Sequence, residues 1–215
     1  MLVKALGQAG SMIAWFLKQQ RQSFIVIDKQ RTPTASTIAA GVINPVTGRK
    51  MVKTWKIDDV LPFAKQTYRE MESELGVRFF YEQEIYKIFT STEDIGIWNH
   101  RKDDVAYTNY IGDIVTLDES GVEAPFGAGI IKNACWLDMP IFTQSIRNYL
   151  LENGCLIDEE VNYDALKIGE QITYQNWEAQ HIIFCEGFRA NSNPFFPIYH
   201  LPLQKENSYS SVQQR

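Results

Sequence analysis

The feature that most constrains the fold is a strand–turn–helix–strand pattern within the first 28 residues. Residues 1–5 (MLVKA) are a short apolar start typical of a strand. Residues 11–20 have helical spacing, with one apolar face made of Met12, Ile13, Phe16 and Leu17. Residues 23–28 (SFIVID) form a continuous β-branched and aromatic run, which is typical of a strand buried on both faces. Elements this close together predict a βαβ unit on a parallel sheet.

The turn between the first strand and the helix carries part of a dinucleotide-binding fingerprint. That fingerprint needs three spaced glycines, a helix N-terminus facing a pyrophosphate, and an acid about 20 residues later for a ribose hydroxyl. Gly7 and Gly10 occupy the second and third glycine positions, Ala5 stands at the first, and Asp28 closes the second strand. Alanine is tolerated at the first position if its φ is negative and is costly if its φ is positive. Arg21 is a second departure, because such units commonly turn into the second strand with a glycine.

A long helix and short strands are predicted after residue 56. Apolar residues recur at helical spacing from Ile57 to Leu75, and Gly76 follows as a stop. The aromatic-rich segments 77–81 and 85–89 have strand composition.

A second helix and further strands are predicted after residue 137. Asp138 is expected to cap a helix that has Pro140 in its first turn and ends at Gly154. Residues 155–158 and 181–187 are strand candidates, with a hairpin between them across Gly169 and Glu170. Residues 201–215 lose all periodicity, which is typical of a tail.

Composition excludes several classes of protein. Three cysteines, Cys135, Cys155 and Cys185, suggest neither a disulfide framework nor a zinc site, so we expect a cytoplasmic protein. No apolar run reaches the roughly 18–20 residues of a membrane span. The three histidines are too scattered for a metal cluster, and none has an evident serine or cysteine partner. Residues 1–56 hold nine Lys or Arg and one acidic residue, although the whole chain has a net charge of −5. This basic segment is equally consistent with binding of an anionic ligand and with a solvated surface on which the charges are segregated.

Three segments together resemble one enzyme family. They are GQAGSMIAWFLKQQ with SFIVID, then TASTIAAGVINPVTGRKMVKTW, and finally IIFCEG. In this combination the chain resembles the flavin-dependent oxidoreductases of the D-amino-acid oxidase and glycine oxidase superfamily over roughly residues 1–200. The resemblance implies an α/β fold, in which a Rossmann-type FAD-binding domain is interrupted by an α+β substrate domain and is incomplete at the C-terminus.

The resemblance also implies domain limits and a reaction. The FAD-binding segments would be residues 1–56 and 138–193, the substrate segment 57–137 and the tail 194–215. The cofactor would be FAD, and hydride would pass to the flavin from the carbon that bears the amine of an amino acid or secondary amine. Because the family usually continues beyond this length, we expect a truncated chain whose enzymatic competence is open.

The resemblance assigns cofactor and substrate roles by position. Pyrophosphate binding falls to Gly7, Ala9, Gly10 and Ser11, and adenosine ribose binding to Asp28 with Lys29 beside it. The remaining cofactor contacts would be made by Ser36, Ala40, Gly41, Val161 and Gly187. Arg49 would pair with the carboxylate of an amino-acid substrate, because an arginine fork suits that geometry. Each assignment has a structural alternative: loop for residues 36–41, core packing for Val161 and a solvated basic face for Arg49.

Other functions stay open. A nicotinamide-dependent dehydrogenase could use the same βαβ unit, although it rarely needs the long insertion between Ile57 and Gly187. A non-catalytic fragment that keeps the fold without the flavin is favoured by Ala5. No membrane partner is expected. Action on modified tRNA is weakened by the lack of interleaved aromatic and basic residues, so a nucleic-acid partner is not expected.

Overall fold

The computed structural model describes residues 1–31, 33–117 and 121–196. Its strands are, in chain order, β1 (Leu2–Lys4), β2 (Ile25–Ile27), β3 (Val42–Ile43), β4 (Val46–Thr47), β5 (Val52–Lys53), β6 (Phe80–Glu82), β7 (Ile85–Ile88), β8 (Ile111–Val115), β9 (Ala128–Ile131), β10 (Cys135–Leu137), β11 (Leu156–Ile157), β12 (Leu166–Ile168), β13 (Ile172–Tyr174), β14 (Trp177–Ala179) and β15 (Ile182–Phe184). The α-helices are α1 (Gln8–Gln19), α2 (Ala35–Ile38), α3 (Ile57–Leu75), α4 (Thr92–Lys102) and α5 (Met139–Glu152). Short 3-10 turns lie at Val105–Tyr107, Tyr163–Ala165 and Gly187–Ser192.

The chain folds into two compact units. The first combines Met1–Thr34 with the chain from Arg147 onward, and the second is Ala35–Ile146. The first unit is therefore discontinuous in sequence, with the second inserted into it.

The first unit is built on a parallel sheet in the order β11–β2–β1–β15. Leu2 pairs with Ile25 on one side and with Ile182 on the other. Helix α1 joins β1 to β2 and buries Ala14, Trp15 and Leu17. The predicted βαβ unit is therefore confirmed, and all four strands end at the same edge of the sheet.

The connection from β11 to β15 is a three-stranded antiparallel sheet, β12–β13–β14, instead of a helix. Its hairpin joins Ile168 to Ile172, as predicted across Gly169 and Glu170. One core cluster contains residues of the parallel sheet, of this antiparallel sheet and of the connection between β11 and β12, among them Leu2, Ile27, Tyr174 and Val161. Burial of this apolar surface is the main stabilising term for the unit.

The second unit is α+β and mostly antiparallel. Its sheets are β3–β10–β6, β7–β9–β8 and the hairpin β4–β5. Helix α3 has the predicted limits and ends at Gly76, whose φ of +65° gives the left-handed C-cap that glycine adopts without strain. Tyr68 on α3 packs edge-on against Phe79 and Phe142, with ring centroids 6.5 and 5.9 Å apart.

Helix α5 also begins and ends as predicted. The carboxylate of Asp138 accepts the N–H of Ile141 at 3.1 Å, and Gly154 follows the helix with φ of +64°. Helix α4 and strands β8 and β9 were not predicted. Of the predicted tail 194–215, residues 197–215 lie outside the described part of the chain.

Candidate nucleotide-binding site

The turn between β1 and α1 has the shape of the fingerprint although its first glycine is missing. Ala5 has φ of +76°, so a residue with a Cβ occupies the left-handed region at that position. Its N–H donates to the carbonyl of Ile27 at 3.1 Å, which ties the turn to the end of β2. Arg21 is also left-handed, with φ of +53°. Both non-glycine departures therefore cost conformational energy.

Gly10 allows α1 to approach the sheet closely. A Cβ built on Gly10 would lie 2.0 Å from the carbonyl oxygen of Ala5 and 3.5 Å from the Cβ of Cys185. No real Cβ approaches a backbone oxygen so closely, so only glycine fits here. This is the packing role that the third glycine has in the fingerprint.

The N-terminus of α1 faces the turn with unpaired donors. Gly7 is the N-cap, with φ −81° and ψ −166°, and its carbonyl accepts the N–H of Ser11 at 2.9 Å. The N–H groups of Ala9 and Gly10 precede the first intrahelical bond, so the helix itself offers them no acceptor. The hydroxyl oxygen of Ser11 is fully buried and has no hydrogen-bond partner among the described residues. A helix N-terminus with such donors favours an anion.

Asp28, directly after β2, is held by a buried arginine. Arg147 on α5 donates from Nη1 to Oδ2 of Asp28 at 2.8 Å and from Nη2 to the Asp28 carbonyl at 3.1 Å. The same Nη2 lies 3.0 Å from Oδ1 of Asp158, which follows β11. Within the described part of the chain, Oδ1 of Asp28 accepts no hydrogen bond. One carboxylate oxygen at the end of β2 therefore stays available to a ligand.

A second polar cluster lies at the ends of β1 and β15. Glu186 accepts hydrogen bonds from the hydroxyl of Tyr163 and, at 2.5 Å, from the side-chain amide of Asn193. Lys4 lies 3.7 Å from the same carboxylate and 3.4 Å from Glu160. Burial lowers the pKa of Lys4, while Glu186 acts in the opposite direction. The cluster fixes the segment that follows β15.

The other predicted residues of the first unit have mixed surroundings. Ala9 and Lys29 are exposed. The side chain of Val161 is buried in the core cluster, which matches the packing alternative for the side chain and leaves the backbone role untested. Gly187 is exposed and has φ of +56° at the start of its 3-10 turn. Burial, followed by the charge of Glu186, raises the pKa of the Cys185 thiol, as expected for a structural cysteine.

Three of the predicted cofactor residues, Ser36, Ala40 and Gly41, belong to the second unit. Gly41 has φ of +67°, and a Cβ there would lie 2.0 Å from the carbonyl oxygen of Leu137. The carbonyl of Ala40 accepts the indole N–H of Trp136 at 2.9 Å. Ser36 lies half-buried within α2. The small residues at 40 and 41 thus let this segment lie against the end of β10.

Arg49 lies at the rim of a cleft in the second unit. The cleft has a volume of about 870 Å³ and is lined by the β4–β5 hairpin and by β7, with Arg49, Lys87 and Asp94 among its charged residues. Arg49 is three-quarters exposed and contacts Glu93 at 3.1 Å. Hydrogen bonds from Thr90 hold the pKa of Asp94 below its usual range. Arg49 is accessible to a ligand carboxylate, but its pairing with Glu93 would compete.

Sequence reasoning missed Arg147 and Asp158. Arg147 follows Thr143 by one helical turn on the buried face of α5, where its side chain is 6% exposed. A charged residue within an apolar helical face was the available signal, because buried arginine is rarely found without a partner. Asp158 sits after its strand as Asp28 does, so parallel pairing could have placed both at one edge.

The described residues hold neither a membrane-spanning helix nor a metal-binding cluster. No helix in the described ranges is long and apolar enough to cross a membrane. Among the same residues there is no group of three or more His, Cys, Asp or Glu side chains arranged to hold a metal ion.

No protein-family model matches the chain. Solved structures do resemble it. Glycine oxidase from Geobacillus kaustophilus has a TM-score of 0.68 at 13% identity, over 88% of this chain and 55% of that one. Glycine oxidase from Bacillus cereus has a TM-score of 0.65 at 17% identity, over 89% of this chain and 56% of that one. L-amino acid deaminase from Proteus vulgaris has a TM-score of 0.63 at 14% identity, over 88% of this chain and 47% of that one.

The comparison establishes the fold. At these identities the likeness concerns architecture alone, and the chain spans about half the length of the structures it matches. The predicted α/β class with a parallel sheet is confirmed, and the chain has the fold seen in these amino acid oxidases and deaminases.

Proposed function

We propose that this chain binds FAD at the carboxyl edge of its parallel sheet and serves an oxidoreductase that oxidises a C–N bond of an amino acid or secondary amine. The observation that carries the proposal is the arrangement at that edge. The N-terminus of α1 lies at the end of β1, and Asp28 lies at the end of the adjacent β2. Ligands of open α/β sheets bind outside the carboxyl ends of the strands.

The residues present fit the ADP half of the cofactor. The buried Ser11 hydroxyl lacks a partner among the described residues, and the close approach at Gly10 leaves no room for a side chain between helix and strand. Backbone N–H groups of the first turn would bind the pyrophosphate. Oδ1 of Asp28 would accept a ribose hydroxyl, while Oδ2 stays on Arg147.

The names of similar structures support the reaction class. Glycine oxidases and an L-amino acid deaminase share this fold, and the sequence resembles the same superfamily. FAD, when bound, supplies the hydride acceptor. The chain's own residues bind and orient, and Arg49, whose Nη2 now contacts Glu93, is proposed to bind a substrate carboxylate.

One observation favours a chain that keeps the fold without the flavin. Ala5 is strained at φ of +76°, where the fingerprint has glycine. This alternative and the proposal differ in flavin retention.

An absorbance spectrum tests the proposal. The purified protein is incubated with FAD and desalted, and its visible spectrum is recorded. We expect flavin absorbance to remain with the wild-type chain and to be lost from Asp28→Asn, which keeps the shape but removes the acceptor charge. Asp113→Asn is the matched control, since Asp113 is an exposed partner of Lys102 in the second unit. A colourless wild-type protein contradicts the proposal and supports the flavin-free alternative.

A further inference from the structure

We propose that Arg147 is the positioning residue of the ribose site: it fixes the Asp28 carboxylate so that Oδ1 faces a ribose hydroxyl, and it makes the site reject a 2′-phosphate. This inference rests on the proposed function, because it concerns the same nucleotide site. It adds a residue from α5 to a site that the fingerprint places on β1, α1 and β2.

Arg147 holds Asp28 at two points. Nη1 binds the carboxylate at 2.8 Å and Nη2 binds the main-chain carbonyl of the same residue at 3.1 Å. Because one rigid guanidinium grips both the backbone and the side chain, it restricts rotation about the Asp28 side-chain bonds. Oδ2 of Asp28 is therefore bound by Arg147, and this bond also fixes the direction in which Oδ1 points.

Asp158 completes the arrangement from the neighbouring strand. Its Oδ1 lies 3.0 Å from Nη2 of Arg147 and also accepts the N–H of Gln30 at 3.0 Å. The hydrogen bond from Gln30 and then the one from Arg147 lower the pKa of Asp158, which keeps that carboxylate ionised at neutral pH. Arg147 thus bridges the ends of β2 and β11.

The charge balance of this trio determines what can bind beside it. Two carboxylates surround one guanidinium, so the trio carries a net negative charge. An arginine near the ribose accommodates a 2′-phosphate only if its donors are available. Here the guanidinium is 6% exposed and its two terminal nitrogens are committed to carboxylates. A ribose hydroxyl can donate to Asp28, whereas a 2′-phosphate would be repelled by both carboxylates, a repulsion that the exposed Lys29 nearby offsets only in part.

Loss of Arg147 should therefore change selectivity as well as stability. Without its partner, Asp28 is a half-buried carboxylate that is free to rotate. This freedom weakens its hydrogen bond to a ribose. Contacts of the pyrophosphate with the first turn of α1 do not involve Arg147 and should persist.

Isothermal titration with ADP and 2′-deoxy-ADP measures this selectivity without any turnover. The wild-type chain is expected to bind ADP about tenfold or more tightly than 2′-deoxy-ADP, the effect of one hydrogen bond to a charged acceptor. In Arg147→Met that ratio should fall to about twofold or less. The exposed-pair control Lys102→Met should keep the wild-type ratio.

Arg147→Lys covers the case in which Arg147→Met does not fold. Lysine keeps the charge but cannot bridge the carboxylate, the carbonyl and Asp158 as a planar fork does. We expect Arg147→Lys to prefer ADP over 2′-deoxy-ADP by less than about threefold. For the wild type we also expect 2′-phospho-ADP-ribose to bind more weakly than ADP-ribose.

The outcomes separate the two proposals. If the wild type binds neither FAD nor ADP, the proposed function and this inference both fail. If the wild type binds ADP but a folded Arg147 variant keeps the full selectivity, or if the 2′-phosphate strengthens binding, only the inference is overturned.

Discussion

Replacement of Gly10 by alanine tests the contact between α1 and the turn that precedes it. The added Cβ would lie 2.0 Å from the Ala5 carbonyl oxygen, and real Cβ atoms keep at least 3.0 Å. The atom it meets belongs to the backbone, so no side-chain rotation relieves the overlap. The first turn of α1 must instead move away from β1 by about 1 Å, against a close-packed interior.

The magnitude follows from two opposing terms. Overpacking of this kind costs about 1–3 kcal/mol, and the size of the overlap favours the upper end of that range. Alanine regains about 1 kcal/mol of helix propensity over glycine. We therefore expect Gly10→Ala to lower the free energy of unfolding by about 2 kcal/mol, which moves a urea midpoint by about 1 M at an m-value near 2 kcal/mol/M.

Gly96→Ala is the matched control. Gly96 lies inside α4, and a Cβ there meets no atom within 4 Å. This variant should gain about 0.5–1 kcal/mol from propensity alone. Both variants are followed by far-ultraviolet circular dichroism in urea. If Gly10→Ala is as stable as the wild type, the close approach of α1 to the Ala5 carbonyl is refuted.

Three further variants test other local features. Ala5→Gly should raise the free energy of unfolding by about 0.5–1 kcal/mol in the same urea assay. The reason is that holding alanine in the left-handed region at φ of +76° costs more than the backbone entropy that glycine loses on folding. A loss of stability would contradict strain at Ala5. Tyr163→Phe should lower the free energy of unfolding by about 1–2 kcal/mol, because the buried Glu186 carboxylate loses a hydrogen-bond donor. An unchanged urea midpoint would mean that this hydrogen bond contributes no net stability. Burial and the hydrogen bond to Asp58 raise the pKa of Tyr110 to about 12, so its stabilising contribution is complete below the unfolded value of about 10 and is lost as the pH rises toward 12. Burial and the hydrogen bond to Glu186 also raise the pKa of Tyr163, so a phenolate absorbance titration should show one fewer late-titrating group in Tyr110→Phe than in the wild type. An unchanged number of such groups would assign this one to another tyrosine.

The parts of the fold that the sequence predicted are those with strong local signals. Helix α3 has seven apolar positions at helical spacing and a glycine stop, and its limits are correct. Strand β2 was evident because all three of its residues are β-branched and buried. Helix α4 was not predicted from the sequence, because its apolar pattern is weak and Gly96 interrupts it. Its tertiary contacts hold it instead, chiefly the fully buried Trp98.

The candidate site was predictable only where its residues are close in sequence. Gly7, Gly10 and Asp28 belong to one βαβ unit, so their spacing indicated a common edge. Arg147 is 119 positions from Asp28, and no local pattern links the two. Nor could sequence predict which oxygen of Asp28 would be occupied, because that depends on how α5 packs.

The central claim is that the edge formed by the first turn of α1 and Asp28 binds the ADP half of FAD. Its most direct test is a fluorescence titration of FAD with the purified chain, repeated with ADP or FMN as competitor. We expect saturable FAD binding that ADP displaces and FMN does not. Absence of FAD binding, or displacement by FMN and not by ADP, would contradict it.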